Sequence, residues 1–301
     1  MDAAQTSSPE TLPAEATPAR AAASLLLLRD GAAGLEVFHV RRAGTMAFSA
    51  HATAFPGGRV DPSDDALPVP GADLAAWARR LGLEDRPVET QPEDDPARVA
   101  ARFLAAVVRE TFEETGVLLA RAADGGHVPP EAAAALAGRR EDVEAHAADL
   151  GALLAEHGLA ADVSGLRAWQ RWITPLSVPR RYDTAFFLVA VPAGQDPDRL
   201  TTEATEHGWA RPADLITAFQ AGDVNLMAPQ WAQLRALMDL PDVEAALRAG
   251  AAAEPVPVVQ LTSGASPEER TREFSHAAEY REHLRSFRTH DRVQDTPDNV
   301  L

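Results

Sequence analysis

Three glutamates carry the chemistry that this chain most plainly offers. The stretch RETFEETGV (109–117) places Glu110, Glu113 and Glu114 at i, i+3 and i+4, a spacing that gathers side chains on one face of a helix. Grouped carboxylates are hard oxygen donors suited to Mg2+ or Mn2+. They stand just before Gly116, at what reads as a helix C-terminus, where acidic side chains are disfavoured. No basic residue follows one turn along to offset them. A bound divalent cation would neutralise the cluster.

The glutamates need a helix to hold them, and the local sequence supplies one. Asp95 suits the N-cap, Pro96 the first helical position and Gly116 the stop, so the spacing predicts a helix from Pro96 to Thr115. At 100° per residue, Leu104, Val108 and Phe112 share one side, with Ala100, Val107 and Thr111 close by. That is the core stripe, and the glutamates occupy the adjoining arc. Upstream, FPGG (55–58) forms a turn.

The remaining chain reads as strands interleaved with helices, an α/β or α+β domain. Residues 21–30 and 35–42 form a hairpin across a Gly-rich turn. Residues 61–95 are rich in Asp and Pro, with one short helical patch at 72–82, and read as an insertion. Residues 116–120 suggest a short strand, and the Ala-rich 130–158 a helical hairpin laid over the outside. A strong strand, TAFFLVAV (184–191), follows a Pro-broken loop. Residues 207–222 give a short strand and a helix, and 229–239 a further helix. Beyond 241, VEAALRAG (243–250) suits a helix and PVPVVQL (255–261) an extended segment. The last thirty or so residues are polar and expected to be loosely held.

Composition narrows the function. The 301 residues carry a formal net charge of -17 and no Cys, which argues against a general affinity for nucleic acid or anionic membrane and excludes thiolate chemistry. The longest apolar run, AAASLLLL (21–28), is too short to span a bilayer. The first twenty residues lack a basic leader and carry acids and prolines, so a disordered tail and a cytoplasmic location are expected.

Gly57 and Gly58 followed by RETFEETGV resemble the Nudix box, G-x5-E-x7-R-E-U-x-E-E-x-G-U. Its second half matches throughout: Arg109, Glu110, Thr111, Glu113, Glu114, Gly116 and Val117. The first half departs from it, because the insertion separates Gly58 from Arg109. Ala101 stands eight residues before Arg109, where the family has its first Glu; Glu93, Asp94 and Asp95 are the nearby stand-ins. A Nudix branch similar to the peroxisomal coenzyme A diphosphatases carries an insertion at this point. It shares the blocks FPGGRVDPSD (55–64), WITPLSVPRRYDTAFF (172–187) and EHGWARP (206–212). The resemblance covers roughly 21–240, leaving 1–20 as the tail and 241–301 as an extension of unassigned role.

The resemblance implies a Nudix fold, a mixed β-sheet sandwiched between helices, with helical insertions. It implies a metal-dependent hydrolase acting on a nucleoside diphosphate linked to another moiety, with coenzyme A or acyl-CoA favoured. ADP-ribose or NADH, or a non-catalytic nucleotide-binding module, are the alternatives. Glu113 and Glu114 would be the main Mg2+ or Mn2+ ligands, with Glu110 a further ligand or the base and the carbonyl near Gly58 completing the site. Arg109 would hold the glutamates in place, and Glu206 is a second candidate base. Arg180 and Arg181 would bind a phosphate of the substrate and Tyr182 would stack on adenine; Arg41 and Arg42 would line the mouth. His51 and His207 are read as structural or exposed. The expected partner is thus a small coenzyme A-like nucleotide, with no nucleic acid or membrane, and with room for a homodimer.

Overall fold

The computed structural model describes residues 17–42, 52–197, 204–260 and 274–290. Strands β1 (Arg20–Gly31) and β2 (Gly34–Arg42) form the expected hairpin. Short strands β3 (Thr53–Ala54) and β4 (Gly57–Arg59) follow, then a 3-10 turn (Pro62–Ala66) and helices α1 (Leu74–Arg80) and α2 (Pro96–Thr115). Next come β5 (Ala120–Ala122), α3 (Pro130–Ala137), α4 (Arg140–Glu144), α5 (Leu150–Glu156) and β6 (Leu159–Ala161). Strands β7 (Arg167–Ile173), β8 (Tyr182–Ala190) and β9 (Ala204–Ala210) precede helices α6 (Pro212–Gln220), α7 (Ala228–Leu237) and α8 (Val243–Ala252). Strand β10 (Val258–Gln260) and helix α9 (Ala277–His290) close the described fold.

Among the described residues, eight strands make one mixed sheet. Its main path runs β10-β7-β8-β1-β2, with β4 beside β1 and both β3 and β9 beside β2. The β1–β8 and β7–β10 pairs are parallel and the rest antiparallel. Central β1 is buried on both faces, which is why its sequence is a continuous apolar run rather than an alternating one. Ala21, Ala23, Leu25 and Leu27 face a core shared with α1, α2 and the two insertions. Leu26 and Leu28 face a second core built from α6, α7, α8 and α9. The sheet is therefore sandwiched between helical layers, as expected.

Helix α2 is delimited as its caps dictate. Asp95 accepts from the Ala97 N–H at 3.1 Å, and Gly116 ends the helix in the left-handed region at φ 75°, where glycine carries no Cβ penalty. Its middle is buried almost all round, from Phe103 to Val108, because the insertion covers the side that a bare helix would show to water. Among the described residues no helix is long and apolar enough to cross a membrane.

Four local expectations change. Residues 116–119 are not a strand: Leu118 pairs its N–H and carbonyl with the Gln195 amide instead of a ladder, and the strand starts at Ala120. The helical hairpin is three short helices, closed at its base by the β5–β6 pair. Strand β7, hidden in the Trp-rich stretch before the Pro-broken loop, extends the sheet. At the C-terminus, Tyr280, Leu284 and Phe287 are buried, so Ala277–His290 is an amphipathic helix of the second layer rather than loosely held; residues 291–301 of that expected tail lie outside the described residues. Of the expected N-terminal tail, residues 1–16 lie outside the described residues, but Ala19 is buried and its N–H donates to Glu89. His51 also lies outside the described residues.

Candidate active site

The glutamate cluster forms one side of a cavity of about 430 Å³, within the range of ligand pockets. Gly57 and Gly58 bring the sheet edge against α2. The Gly57 N–H donates to Glu114 at 2.9 Å. A Cβ on Gly58 would lie 2.4 Å from the Glu110 carboxylate, and one on Gly57 would lie 2.2 Å from the Ala23 carbonyl. Gly57 needs glycine, because its φ of 147° and the Ala23 backbone leave no place for a Cβ; at Gly58 a Cβ would have to displace the Glu110 carboxylate.

Arg109 organises the cluster. Its Nε and Nη2 donate to the two Asp64 carboxylate oxygens at 2.7 and 3.2 Å. Nη1 donates to Glu110 at 2.9 Å and to Glu113 at 3.2 Å, and Nη2 also reaches the Arg59 carbonyl at 3.0 Å. Burial works against the Arg109 charge, yet Asp64, Glu110 and Glu113 together hold its pKa above the ordinary arginine value. Burial also pushes the Glu113 carboxyl up to about 7; Arg109 opposes this and the Glu110 charge adds to it.

Asp64, whose side chain is 0% exposed, is the carboxylate that residue counting missed. It also accepts from the Asp61 N–H at 2.7 Å, closing a capping box with Asp61. The Asp-x-x-Asp spacing after FPGG is the signal that could have found it. The stand-ins nearer to Arg109 in sequence are committed elsewhere or exposed. Asp94 pairs with Arg102, Asp95 caps α2 and Glu93 is exposed. Ala101 packs half-buried against the core, about 12 Å up the helix at 1.5 Å per residue.

The helix C-terminus is relieved by tertiary structure. Arg140, buried on α4, donates its Nε to the Glu113 carbonyl at 2.6 Å. A guanidinium at a helix C-terminus satisfies both its orphan carbonyl and its partial negative charge. The compensation missing from the local sequence therefore comes from Arg109 within the helix and Arg140 from the Ala-rich insertion.

The cavity floor is a row of paired residues crossing four strands. Arg59 pairs with Ala22, Ala22 with Thr184 and Thr184 with Trp172, and all four line the cavity. At about 4.8 Å per strand the row spans roughly 14 Å. Ser24, Phe55, Phe186, Met227 and Gln230 extend the floor, and Glu144 and His146 of the Ala-rich insertion reach its rim.

Of the expected site residues, Arg109, Glu110, Glu113, Glu114, Gly58 and Tyr182 meet in this cavity. Four do not. Arg181 is enclosed, forked to Glu89 at 2.5 and 2.9 Å and bonded to the Thr174 carbonyl. Its neighbour Asp183 is likewise buried, forked by Arg171, whose Nη1 also reaches the Leu81 and Arg86 carbonyls. The RRYDT block thus fastens the 61–95 insertion to the sheet. Arg180 is exposed on the preceding loop and does not line the cavity. Arg41 and Glu206 pair with each other in register across β2 and β9, at 3.3 Å, with Glu206 68% exposed; neither lines the cavity. Arg42 ends β2, and His207 packs its ring on Phe38 as a structural residue.

Comparison with known proteins fits this geometry. Residues 11–237 match the NUDT19 Nudix domain. The chain belongs to that Nudix family. It is 33% identical to a NUDIX hydrolase of Alicyclobacillus acidocaldarius of known crystal structure, with a TM-score of 0.59, covering 77% of this chain and 96% of that one. It is 29% identical over 235 residues to the acyl-coenzyme A diphosphatase NUDT19 of Gallus gallus, covering 68% of this chain and 61% of the relative. The Homo sapiens protein of that name is 33% identical over 159 residues, covering 49% and 40%. The chain thus spans about two fifths to three fifths of the length of these named relatives.

The Nudix carboxylates suit a divalent cation by donor type and by crowding. Glu113 is a buried acid raised to about 7 beside two further carboxylates, and the Gly58 cradle leaves no room for a Cβ against Glu110. Among the described residues no three acidic or imidazole groups already converge at metal-binding distance, since Arg109 Nη1 bonds both Glu110 and Glu113.

Proposed function

We propose that this chain is a divalent-metal-dependent hydrolase that cleaves the pyrophosphate bond of coenzyme A or an acyl-CoA. The observation that carries the reading is a single cavity joining an acidic cluster to a long floor that mixes Trp172, Phe186, Phe55 and Met227 with polar side chains. A pyrophosphate needs cations to enter an acidic site, and an organic moiety needs the floor. The names of the relatives point to acyl-coenzyme A as the substrate.

Glu110, Glu113, Glu114 and the Gly58 carbonyl would hold Mg2+ or Mn2+, which neutralises pyrophosphate charge and acidifies attacking water. The chain's own residues do the positioning. Arg109, fixed by Asp64, sets the glutamates; Glu110 and Glu113, which both accept from its Nη1, are the oxygens that would share their charge between Arg109 and a cation. Glu110, partly exposed at the cavity edge, is the better-placed base, because Glu206 is engaged with Arg41 outside it. Tyr182, on the same sheet face as Thr184 and Trp172, lies against the organic moiety. The acidic, cysteine-free composition fits action in the cytoplasm on a free small molecule.

The test is product analysis by mass spectrometry after incubation with Mg2+ or Mn2+ and coenzyme A, acetyl-CoA, ADP-ribose and NADH. Release of 3′,5′-ADP with phosphopantetheine is expected. AMP from ADP-ribose or NADH alone would replace the substrate and keep the hydrolytic site. No product with either metal would overturn the enzymatic reading.

A further inference from the structure

Gln230 is out of keeping with the rest of the cavity floor. It stands in the first turn of α7 and lines the cavity, yet its side-chain carbonyl is buried with no hydrogen-bond partner. Buried polar atoms are paired in the great majority of cases, and an exception beside a cavity points to a group that completes it.

The helix that carries Gln230 is tied to β7. The Trp172 indole N–H donates to Gln170 Oε1 at 2.7 Å, and the same oxygen accepts from Gln233 Nε2 at 3.0 Å. Gln233 is fully buried and lies one turn along α7 from Gln230. Gln233 Oε1 is likewise buried without a partner, but Gln233 does not line the cavity; of the two, only the Gln230 oxygen belongs to a residue that a ligand in the cavity could reach. Phe186 and Trp172 supply apolar surface in the same cavity, and Trp172 is three strands away from Arg59 at the acidic side.

We propose that Gln230 is a specificity-determining residue whose side-chain amide accepts a hydrogen bond from an N–H group on the organic moiety of the substrate. The inference rests on the coenzyme A reading above and deepens it. Coenzyme A carries this chemistry in two places, the adenine amino group and the pantetheine amides.

The experiment compares wild type with Gln230→Leu, which keeps bulk and removes the amide. On coenzyme A, kcat/KM is expected to fall about tenfold, carried by KM with kcat within about twofold, the pattern of lost binding common to ground and transition states. The comparison is repeated with one analogue lacking the adenine amino group and another with esters in place of the pantetheine amides. The contacted group is the one whose removal abolishes the difference between the two proteins; a folding defect would lower all three substrates alike. A difference that survives in both analogues, or no difference on coenzyme A, overturns the proposal. If the wild type does not hydrolyse coenzyme A, the proposed reaction fails separately. Calorimetric binding of coenzyme A to Glu113→Gln, with and without Gln230→Leu, then decides: a tenfold loss supports the Gln230 contact, and equal or undetectable binding overturns it.

Discussion

Replacing Asp64 by Asn tests whether a residue of the insertion holds the catalytic helix. The change keeps shape and removes the charge that Arg109 grips with two nitrogens at 2.7 and 3.2 Å. Breaking a buried ion pair by removing one partner costs about 3–5 kcal/mol. Arg109 keeps Glu110, Glu113 and the Arg59 carbonyl, so the lower end, about 3 kcal/mol, is expected here. At about 2 °C per kcal/mol for a chain of this size, the melting temperature should fall by about 6 °C. Arg109 would then be drawn wholly to the glutamates, and metal affinity or activity should drop about 10- to 100-fold, as for other residues that orient metal ligands. The assay is thermal unfolding by circular dichroism together with activity titrated against Mg2+. Asp65→Asn is the control: Asp65 pairs with Arg98 and Arg102 at the surface, where an ion pair contributes about 0–1 kcal/mol. If Asp64→Asn melts and titrates like the control, Asp64 does not anchor Arg109 and the reasoning fails.

Four further outcomes are expected. Glu113 rises from about 4.5 to about 7 on folding, so between those values the folded chain holds a proton that the unfolded chain has lost. Metal-free stability should therefore decline by about 3 kcal/mol as pH rises through that window and level off above it; Glu113→Gln should flatten the profile in urea titrations and abolish turnover, and a sloping variant would refute the assignment. Gly58→Ala drives a Cβ against the Glu110 carboxylate, the end of a movable side chain, so activity should fall about 100-fold while the melting temperature stays within a few degrees; an active variant would remove Glu110 from the site. Arg181→Met strands Glu89 and should cost about 3 kcal/mol with KM unchanged, as expected of a buried pair rather than a substrate contact; a raised KM at unchanged stability would restore the binding role. Glu206→Gln should leave kcat within about threefold of wild type, because Glu206 contacts Arg41 outside the cavity, and a loss of a hundredfold would make it the base after all.

Local chemistry in the sequence determined much of this protein. Asp95, Pro96 and Gly116 bounded α2, because capping and left-handed glycine are decisions of a few adjacent residues. The i, i+3, i+4 spacing placed three glutamates on one arc, and the Gly57–Gly58 pair announced a close approach that the structure shows against Ala23 and Glu110. What tertiary structure decided is which charges meet. Asp64 reaches Arg109 across 45 residues and Arg140 reaches the Glu113 carbonyl across 27; the Asp-x-x-Asp capping box marks Asp64 but does not name its partner, and Arg140 leaves no local signature. Arg180 and Arg181 are neighbours with opposite fates, one exposed and one enclosed. Alternation along the chain alone did not tell which would turn inward to meet Glu89. The carboxylates were legible because a helix has one period. The floor of the cavity was not, because it is assembled from β4, β1, β8 and β7, whose registers are set only when the sheet closes.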